Sequence, residues 1–260
     1  MLRAFSTAAT GMTGQQKMVD VIANNLANVN TTGFKRSQLN FQDLLYLTLE
    51  EPGTEIASGI NSPTGLEIGS GVRAESTIKV FTAGELQHTG NALDIAISGD
   101  GFLQVTMPNG DLRYTRDGSL LINGTGQLVT STGYLLQPSI TVTEGSTVDI
   151  EKDGSVNVVD PSGIQSVAGT IQLARFPNPA GLSSEGDNLY AETDASGTAT
   201  TDTAGENGFG TIQSRFLEKS NVQMVTELVN LITAQRAYEI NSRAIRAGDD
   251  MLQTANNIVR

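Results

Sequence analysis

From Leu217 to Val259 the chain reads LEKSNVQMVTELVNLITAQRAYEINSRAIRAGDDMLQTANNIV, and apolar residues recur in it every seven positions. The members of this row are Leu217, Met224, Leu231, Tyr238, Ile245, Leu252 and Val259. Ser220 followed by Gln223 has the spacing of a capping box at the start of a helix. The pattern predicts one helix from about Asn221 to Val259, roughly 58 Å long at 1.5 Å per residue. That is longer than the usual helix of a small domain.

A second apolar row lies on this predicted helix, formed by Val225, Leu228, Val229 and Ile232. A helix that is apolar on several sides is buried on several sides. The amides of Asn230, Gln235 and Asn241 are then interpreted as residues that set the register of packing between helices.

The beginning of the chain carries the same seven-residue spacing, with a second row three positions later. The first row is Phe5, Met12, Val19 and Leu26, and the second is Ala8, Gln15, Ile22 and Val29. Gly11 and Gly14 each weaken a helix by roughly 1 kcal/mol relative to Ala. The pattern predicts a helix that needs partners and ends near Asn28 to Gly33, with Gly33 as its C-terminal punctuation.

The middle of the chain has the pattern of β structure. All seven prolines lie between Pro52 and Pro179. Turn dipeptides recur through it, at Asn109-Gly110, Asp117-Gly118, Asn123-Gly124, Asp153-Gly154 and Asn207-Gly208. The runs between turns predict strands at 93–98, 102–107, 112–116, 119–122, 127–130 and 167–176. The polar stretch 181–208 has no Lys or Arg and is predicted to be a long surface excursion.

Between the first helix and the β region stands an apolar segment that begins at Leu44, Leu45 and Tyr46. It is followed by Pro52 and a polar Gly/Ser/Thr stretch that reaches Gly71. Because its start is too apolar for a plain linker, it predicts an extended or hairpin-like arm.

These elements together predict an α+β chain. Its N- and C-terminal helices pair as a coiled-coil-like assembly domain, beside a central mainly-β domain and the extended arm. The predicted boundaries are 1–40 with 217–260 for the helical assembly domain, 41–72 for the arm, and 73–216 for a β-rich outer domain.

Composition excludes several classes of function. The net charge of −12 disfavours binding to nucleic acid, which requires a basic face. The absence of Cys removes disulfides and thiolate chemistry, and the single histidine, His88, excludes multi-histidine metal sites. We expect His88 in a surface loop, and we expect Asp111 and Asp117 to form surface ion pairs with Arg113 and Arg116. We expect no catalytic residue, cofactor or metal, although a β-domain enzyme stays a distant alternative because an acidic domain always offers paired carboxylates.

Two interpretations of the terminal helices remain open on sequence grounds. They form an intramolecular hairpin on the core of one monomer, or they pack with neighbouring subunits in a polymer. The second interpretation predicts an assembly interface of Phe5, Met12, Val19, Ile22, Leu26, Asn28, Leu44, Leu45, Tyr46, Leu228, Leu231, Tyr238, Asn241, Ile245 and Leu252.

Three blocks of sequence resemble the bacterial flagellar rod and hook proteins. The first runs from Ala23 to Arg36 (ANNLANVNTTGFKR), and the second joins ISGDGF at 97–102 to YTRDGS at 114–119 and GQLV at 126–129. The third includes SNV at 220–222, ELV at 227–229 and QRAYEIN at 235–241. Within this family, the length and the segment 43–73 resemble those of distal rod subunits; the hook protein or another rod subunit is the alternative.

The resemblance implies a structural subunit of the flagellar basal body, exported through the flagellar type III apparatus and polymerised into a hollow helical drive shaft that carries torque to the hook. It implies proximal rod proteins below, the hook protein above, bushing rings around the rod and a rod cap during assembly. It also implies no enzymatic activity, no cofactor, no nucleic acid and no small-molecule substrate.

Overall fold

The computed structural model describes residues 2–53, 55–57, 60–61, 63–143, 145–161 and 163–258. The chain forms two compact units. The first is drawn from Met1–Leu26, Ser37–Ile78 and Met224–Arg260, and the second from Ala27–Arg36 and Lys79–Gln223. The predicted three-part division concerns roles in an assembly, and it stays a prediction.

Two long helices belong to the first unit. Helix α1 spans Leu2–Ala27 and α2 spans Met224–Ile258, so both predicted helices are confirmed. The predicted last heptad residue, Val259, lies outside the described residues. The capping box is wrong, because α2 begins four residues after Ser220. The Ser220 hydroxyl instead accepts a hydrogen bond from the N–H of Val222, at 3.3 Å and ahead of the helix.

Two glycines show how the helices contact each other. A Cβ on Gly11 would lie 2.8 Å from Nδ2 of Asn241, and a Cβ on Gly248 would lie 2.8 Å from the ring of Phe5. Position 5 faces 248 while position 11 faces 241, so the two helices run antiparallel. Glycine is required at both contacts because it allows the close approach. The cost to helix propensity at Gly11 and Gly248 is thus offset by interhelical packing.

Six strands of the first unit form nested antiparallel pairs, in which the first pairs with the last, the second with the fifth and the third with the fourth. The strands are β1 (Ser37–Asp43), β2 (Leu47–Glu50), β3 (Glu55–Ala57), β4 (Ile60–Asn61), β5 (Leu66–Ile68) and β6 (Val72–Lys79). This nesting makes one long hairpin. Helix α1 contacts its base, where the N–H of Val72 donates to Oγ1 of Thr10 at 3.3 Å and Gly14 faces the ring of Phe41.

The second unit is β-rich, which confirms the α+β class. Its strands are β7 (Leu86–His88), β8 (Ile95–Ser98), β9 (Phe102–Thr106), β10 (Leu112–Thr115), β11 (Leu120–Ile122), β12 (Leu128–Thr130), β13 (Leu135–Gln137), β14 (Thr147–Ile150), β15 (Ser155–Val159), β16 (Gln165–Thr170), β17 (Gln172–Arg175), β18 (Ser183–Gly186), β19 (Leu189–Ala191), β20 (Thr200–Thr203), β21 (Thr211–Ser214) and β22 (Phe216–Glu218).

Nine of these strands form one antiparallel sheet in the order β11-β12-β13-β9-β10-β19-β18, with β17 joining β9 to β20. Strands β14, β15 and β16 form a second sheet, and β21 with β8 and β22 with β7 form separate pairs. The core between them is aliphatic, with Leu103, Val105, Val156, Leu173 and Ile212 almost fully buried. A second cluster is aromatic and packs edge to face, for example Tyr114 against Phe176 at 4.7 Å between ring centroids.

All five turn dipeptides lie between consecutive strands, and three of them close hairpins, namely β9–β10, β11–β12 and β14–β15. The predicted strand 167–176 is wrong in one respect, because it divides into β16 and β17. Between them the N–H of Ile171 donates to the carbonyl of Gly154 at 2.8 Å. The side chain of Ile171 is fully buried, so the chain turns into the core at this point.

The predicted surface excursion at 181–208 is also wrong. It contains β18, β19 and β20, and the first of its buried side chains are those of Leu182, Leu189 and Tyr190. Composition concealed this because each of these strands has only three or four residues. His88 is exposed as expected, but it ends strand β7 instead of lying in a loop, and its ring packs edge to face on Phe216 at 5.0 Å.

Candidate functional site: apolar faces of the first unit and an ion cluster in the second

Helix α2 has two different faces. Glu227, Ala234 and Gly248 are buried, and with Asn241 they recur every seven residues on the side that contacts α1. At 100° per residue, the opposite side of the helix carries an apolar row. Its members, which we call the outer face of α2, are Val225 (75% exposed), Leu228 (40%), Val229 (54%) and Ile232 (49%). A contiguous apolar face of this kind marks an interaction site.

The hairpin of the first unit exposes further apolar side chains. Leu45 is 90% exposed, and Tyr46, Leu47 and Leu49 are each more than 40% exposed. Leu66 and Ile68 are also exposed, on the partner strand β5. Strands β2 and β5 of the hairpin therefore both present apolar side chains.

The predicted interface residues have unequal burial. Ile22 is buried; half-buried positions are Phe5, Met12, Val19, Leu26, Asn28, Leu44, Leu231, Asn241 and Ile245; exposed positions are Leu45, Tyr46, Leu228, Tyr238 and Leu252. The structure brings Phe5 against α2 and Asn241 against α1. Asn28 belongs to the second unit, unlike the other members, and its Oδ1 accepts a hydrogen bond from Thr31. Assignment of these residues to an interface stays a prediction.

Sequence reasoning missed an ion cluster buried in the second unit. The Nζ of Lys35 donates to Oε1 of Glu218 at 2.5 Å, and Nη1 of Arg116 lies 3.5 Å from Oε2 of the same carboxylate. All three side chains are at most 3% exposed. The predicted surface ion pair of Arg116 is therefore wrong, whereas Arg113 forms such pairs with Asp111 and Glu185. Charge pattern alone cannot separate the two arginines, which lie three residues apart.

Burial and charge act in opposite directions on this cluster. Desolvation lowers the pKa of Lys35, and the nearby Glu218 carboxylate opposes that effect. Desolvation likewise lowers the pKa of Arg116. Lys35 also donates to the carbonyl of Thr82 at 2.8 Å, and Glu218 accepts from the N–H of Gly84 at 2.8 Å. The cluster thus joins three distant parts of the chain within the second unit.

Thr32 and Gly33, which belong to the first of the three sequence blocks, contact residues that are distant from them in the chain. The N–H of Gly33 donates to the carbonyl of Glu218 at 2.8 Å, and Oγ1 of Thr32 donates to Oδ1 of Asp117 at 2.9 Å. Gly33 has φ of +67° and would bring a Cβ within 2.6 Å of the Asp117 nitrogen. The prediction that Gly33 ends the helix is therefore wrong, since α1 ends six residues earlier, and this glycine instead permits a close backbone contact.

Asn25 has a comparable role within the first unit. Its Nδ2 donates to the carbonyl of Ser37, and its Oδ1 accepts from the N–H of Ser37, both at 2.8 Å. The side chain is 1% exposed, and its amide nitrogen and amide oxygen are both paired with the backbone at the start of β1. This asparagine is the part of the first block that fixes the chain after α1.

Comparisons with known proteins match three regions of the chain and, for several relatives, its whole length. Family models match at residues 5–35 (flagella basal body rod protein), at 96–158 (flagellar hook protein FlgE/F/G D1 domain) and at 213–258 (flagellar basal body rod FlgEFG protein, C-terminal). The flagellar basal-body rod protein FlgG of Caulobacter vibrioides is 46% identical over 260 residues, which cover 99% of each chain. The FlgG protein of Bacillus subtilis is 37% identical over 266 residues, with complete coverage of both chains.

The chain belongs to the FlgG family of flagellar basal-body rod proteins. It is therefore a structural component of the flagellar basal body and not an enzyme, as the sequence blocks predicted. The three matched regions correspond to α1 and the segment after it, to β8 through β15, and to β22 with α2. Neither helix of the described chain has the combination of length and apolar character that crossing a bilayer requires.

Proposed function

We propose that the chain is the subunit of the distal rod, and that it polymerises into a hollow helical drive shaft that transmits motor torque to the hook. The observation that carries the proposal is the pair of opposed faces on α2. One face is covered by α1, and the outer face has no cover in the described part of the chain. The match of the chain to FlgG proteins over its whole length supports this assignment over the hook subunit.

The two faces have separate roles in this proposal. The inner face pairs the helices in a coiled-coil-like arrangement, with Gly11 and Gly248 at its close contacts. The outer face packs on neighbouring copies. Burial of each Val, Leu or Ile there contributes up to about 1.5–3 kcal/mol. Contacts of this heterologous kind do not close into a ring, and they generate a helix of subunits.

The proposed parts of the subunit follow from this arrangement. Residues 1–40 with 217–260 form the assembly domain, 41–72 form an arm that fills gaps between subunits, and 73–216 form the outer domain. The exposed Leu45, Tyr46 and Leu47 are the proposed contact points of the arm. Proximal rod proteins, the hook protein, the bushing rings and a rod cap are the proposed partners, and the type III apparatus is the proposed export route.

A pair of matched substitutions tests the polymer interface. Val225 on the outer face and Val167 in the second unit are 75% and 66% exposed, so lysine at either position is compatible with folding. We expect Val225→Lys to abolish rods in negative-stain images of concentrated protein and to fail to restore swimming in a strain that lacks its rod subunit. Val167→Lys should behave as the unchanged protein in both assays. Equal behaviour of the two variants would contradict the proposed interface.

Shortening the hairpin distinguishes the distal-rod assignment of this chain from the hook-type alternative. Deletion of 47–63 removes β2, β3 and β4 while it retains β1 and β6 at the base of the hairpin. If the arm stiffens a straight rod, assemblies of the shortened chain should become curved or flexible. Unchanged straightness in electron micrographs would favour the hook-type alternative.

A further inference from the structure

The second unit contains a cavity of about 330 Å³ that the assembly proposal does not use. Two guanidinium groups, of Arg116 and Arg175, line it together with the rings of Phe81, Phe102 and Phe176. Asp100 is the acidic residue among its lining residues and is exposed to solvent. A concave site with apolar walls and a few convergent polar groups is the usual form of a binding pocket.

Arg116, which lines this cavity, has hydrogen-bonding capacity left over. Its Nη2 donates to the carbonyl of Gly99 at 2.8 Å, and its Nη1 lies 3.4 Å from the carbonyl of Ile97. Among the described residues, its Nε is one of two buried side-chain polar atoms without a hydrogen-bond partner. The residue is 3% exposed, so this N–H is costly to leave unpaired.

The charge around the cavity also favours an anion. When Lys35, Glu218 and Arg116 are all ionised, their cluster carries one excess positive charge in a buried place. The carboxylate of Asp100 also acts on Arg116, but it is exposed to solvent and therefore screened, so it offsets this excess charge only in part. The surrounding sequence is otherwise acidic, since residues 95–214 contain 14 Asp and Glu but only four Lys and Arg. Two of those four basic residues line this one cavity.

Arg175 is suited to the rim of such a site. It is half-exposed, and its guanidinium carbon lies 5.2 Å above the ring centroid of Phe209. Its Nη1 donates to the carbonyl of Gly208 at 3.3 Å, which leaves further N–H groups for a ligand. Arg116 is held in a similar way, with its guanidinium carbon 5.6 Å from the ring centroid of Phe102.

We propose that this cavity binds a carboxylate carried on an apolar or aromatic stem, with Arg116 and Arg175 on the charged end and the three phenylalanines around the stem. Two arginines give a carboxylate charge-assisted hydrogen bonds. The negative charge of Asp100 at the same cavity disfavours doubly charged anions such as phosphate. The carboxylate comes from a free organic acid or from a Glu or Asp side chain of a second copy of this acidic chain.

Nuclear magnetic resonance of the full-length chain tests the site, with benzoate as the probe. We expect the Nε–H signal of Arg116 to shift saturably, with a dissociation constant on the order of 10 mM for so small a ligand. Arg175→Gln should weaken binding about tenfold, because one charged hydrogen-bond donor is lost. Asp100→Asn should tighten it, and inorganic phosphate should bind more weakly than benzoate.

Arg113→Gln is the matched control, because Arg113 pairs with Glu185 and does not line the cavity. Its affinity for benzoate should equal that of the unchanged chain. If Arg175→Gln and Arg113→Gln have the same affinity, or if isothermal calorimetry and the Arg116 signal both show no binding, the proposal is overturned. Far-UV circular dichroism of each variant checks that the fold is retained.

A mixing experiment distinguishes the two sources of the carboxylate. Isotope-labelled Val225→Lys chain is titrated with unlabelled Val225→Lys chain, so that neither copy has an intact outer face of α2. A shift of the Arg116 signal that benzoate competes away identifies a side chain of a second copy as the ligand. A response to benzoate alone identifies free organic acids. This result is independent of whether rods form.

Discussion

Lys35 and Glu218 are 183 positions apart in the chain, and their side chains meet at 2.5 Å in the interior of the second unit. The same contact brings Gly33 against the backbone of Glu218. The β-rich unit is therefore completed by a segment that follows α1 and by one that precedes α2. A central fragment alone would lack both the ammonium group and its carboxylate partner.

Removal of the Glu218 charge should destabilise the second unit strongly. Glu218→Gln removes the buried counter-charge of Lys35 and Arg116 and leaves only the solvent-exposed Asp100 near Arg116. Breaking such a buried cluster costs about 3–5 kcal/mol. Urea unfolding followed by far-UV circular dichroism measures the loss. The control is Glu85→Gln, since Glu85 is 82% exposed and lies 3.9 Å from Lys219. A loss as small as that of the control would show that the cluster does not stabilise the unit.

Lys35→Met should cost less than Glu218→Gln. The apolar side chain has a similar length, and it leaves Arg116 with Glu218 as its counter-charge. The same urea experiment compares the two variants. If Lys35→Met is the more damaging of the two, the stability comes from the hydrogen bond of Lys35 to Thr82 instead of from charge balance.

Gly33→Ala should destabilise the second unit by about 3 kcal/mol, from left-handed backbone strain together with overpacking. Its control is Gly110→Ala, since Gly110 has φ of +90° but no atom within 4 Å of the position that a Cβ would occupy. That variant should lose about 1–2 kcal/mol, from the backbone strain alone. Differential scanning calorimetry of both variants separates strain from the collision with Asp117. Equal losses would mean that the backbone near Asp117 yields without cost.

Gly248→Leu should separate the terminal helices. The substitution raises helix propensity by about 1 kcal/mol, but the side chain would collide with the ring of Phe5. Ala244 is exposed on the same helix, so Ala244→Leu tests the effect of leucine without the collision. For Gly248→Leu alone, we expect the helices to unfold at a lower temperature in far-UV circular dichroism, and we expect loss of rods. Retained rods in that variant would contradict the proposed helix pairing.

Alkaline pH should destabilise the second unit through Tyr190. Burial raises the pKa of this phenol from 10.0 to about 12, with Arg116 opposing the shift. In the unfolded chain the phenol ionises near pH 10, so the stability that it contributes is complete below that pH and is lost between pH 10 and 12. A shift of that size corresponds to about 3 kcal/mol. Urea unfolding across this window, compared with Tyr190→Phe, isolates the effect; parallel pH profiles would contradict it.

Local sequence patterns were enough to establish the two terminal helices, the β-rich middle and the family. Helices and turns are local, so heptad spacing at Phe5 to Leu26 and dipeptides such as Asn109-Gly110 carry their signal within a few residues. A second contact for Val225 and Val229 was predicted from the sequence, because a helix with more apolar residues than one face can bury needs a second partner, and that contact stays a prediction.

The packing of distant segments decides which charged side chains are buried and which glycines lie at close contacts. Arg113 and Arg116 have the same local pattern, but strand pairing leaves one half-buried at the surface and encloses the other beside a glutamate about a hundred residues away. The same is true of 181–208, in which β19 pairs with β10 and β20 pairs with β17, both elsewhere in the second unit. Burial is a property of long-range packing, and a single stretch of sequence does not contain its partner.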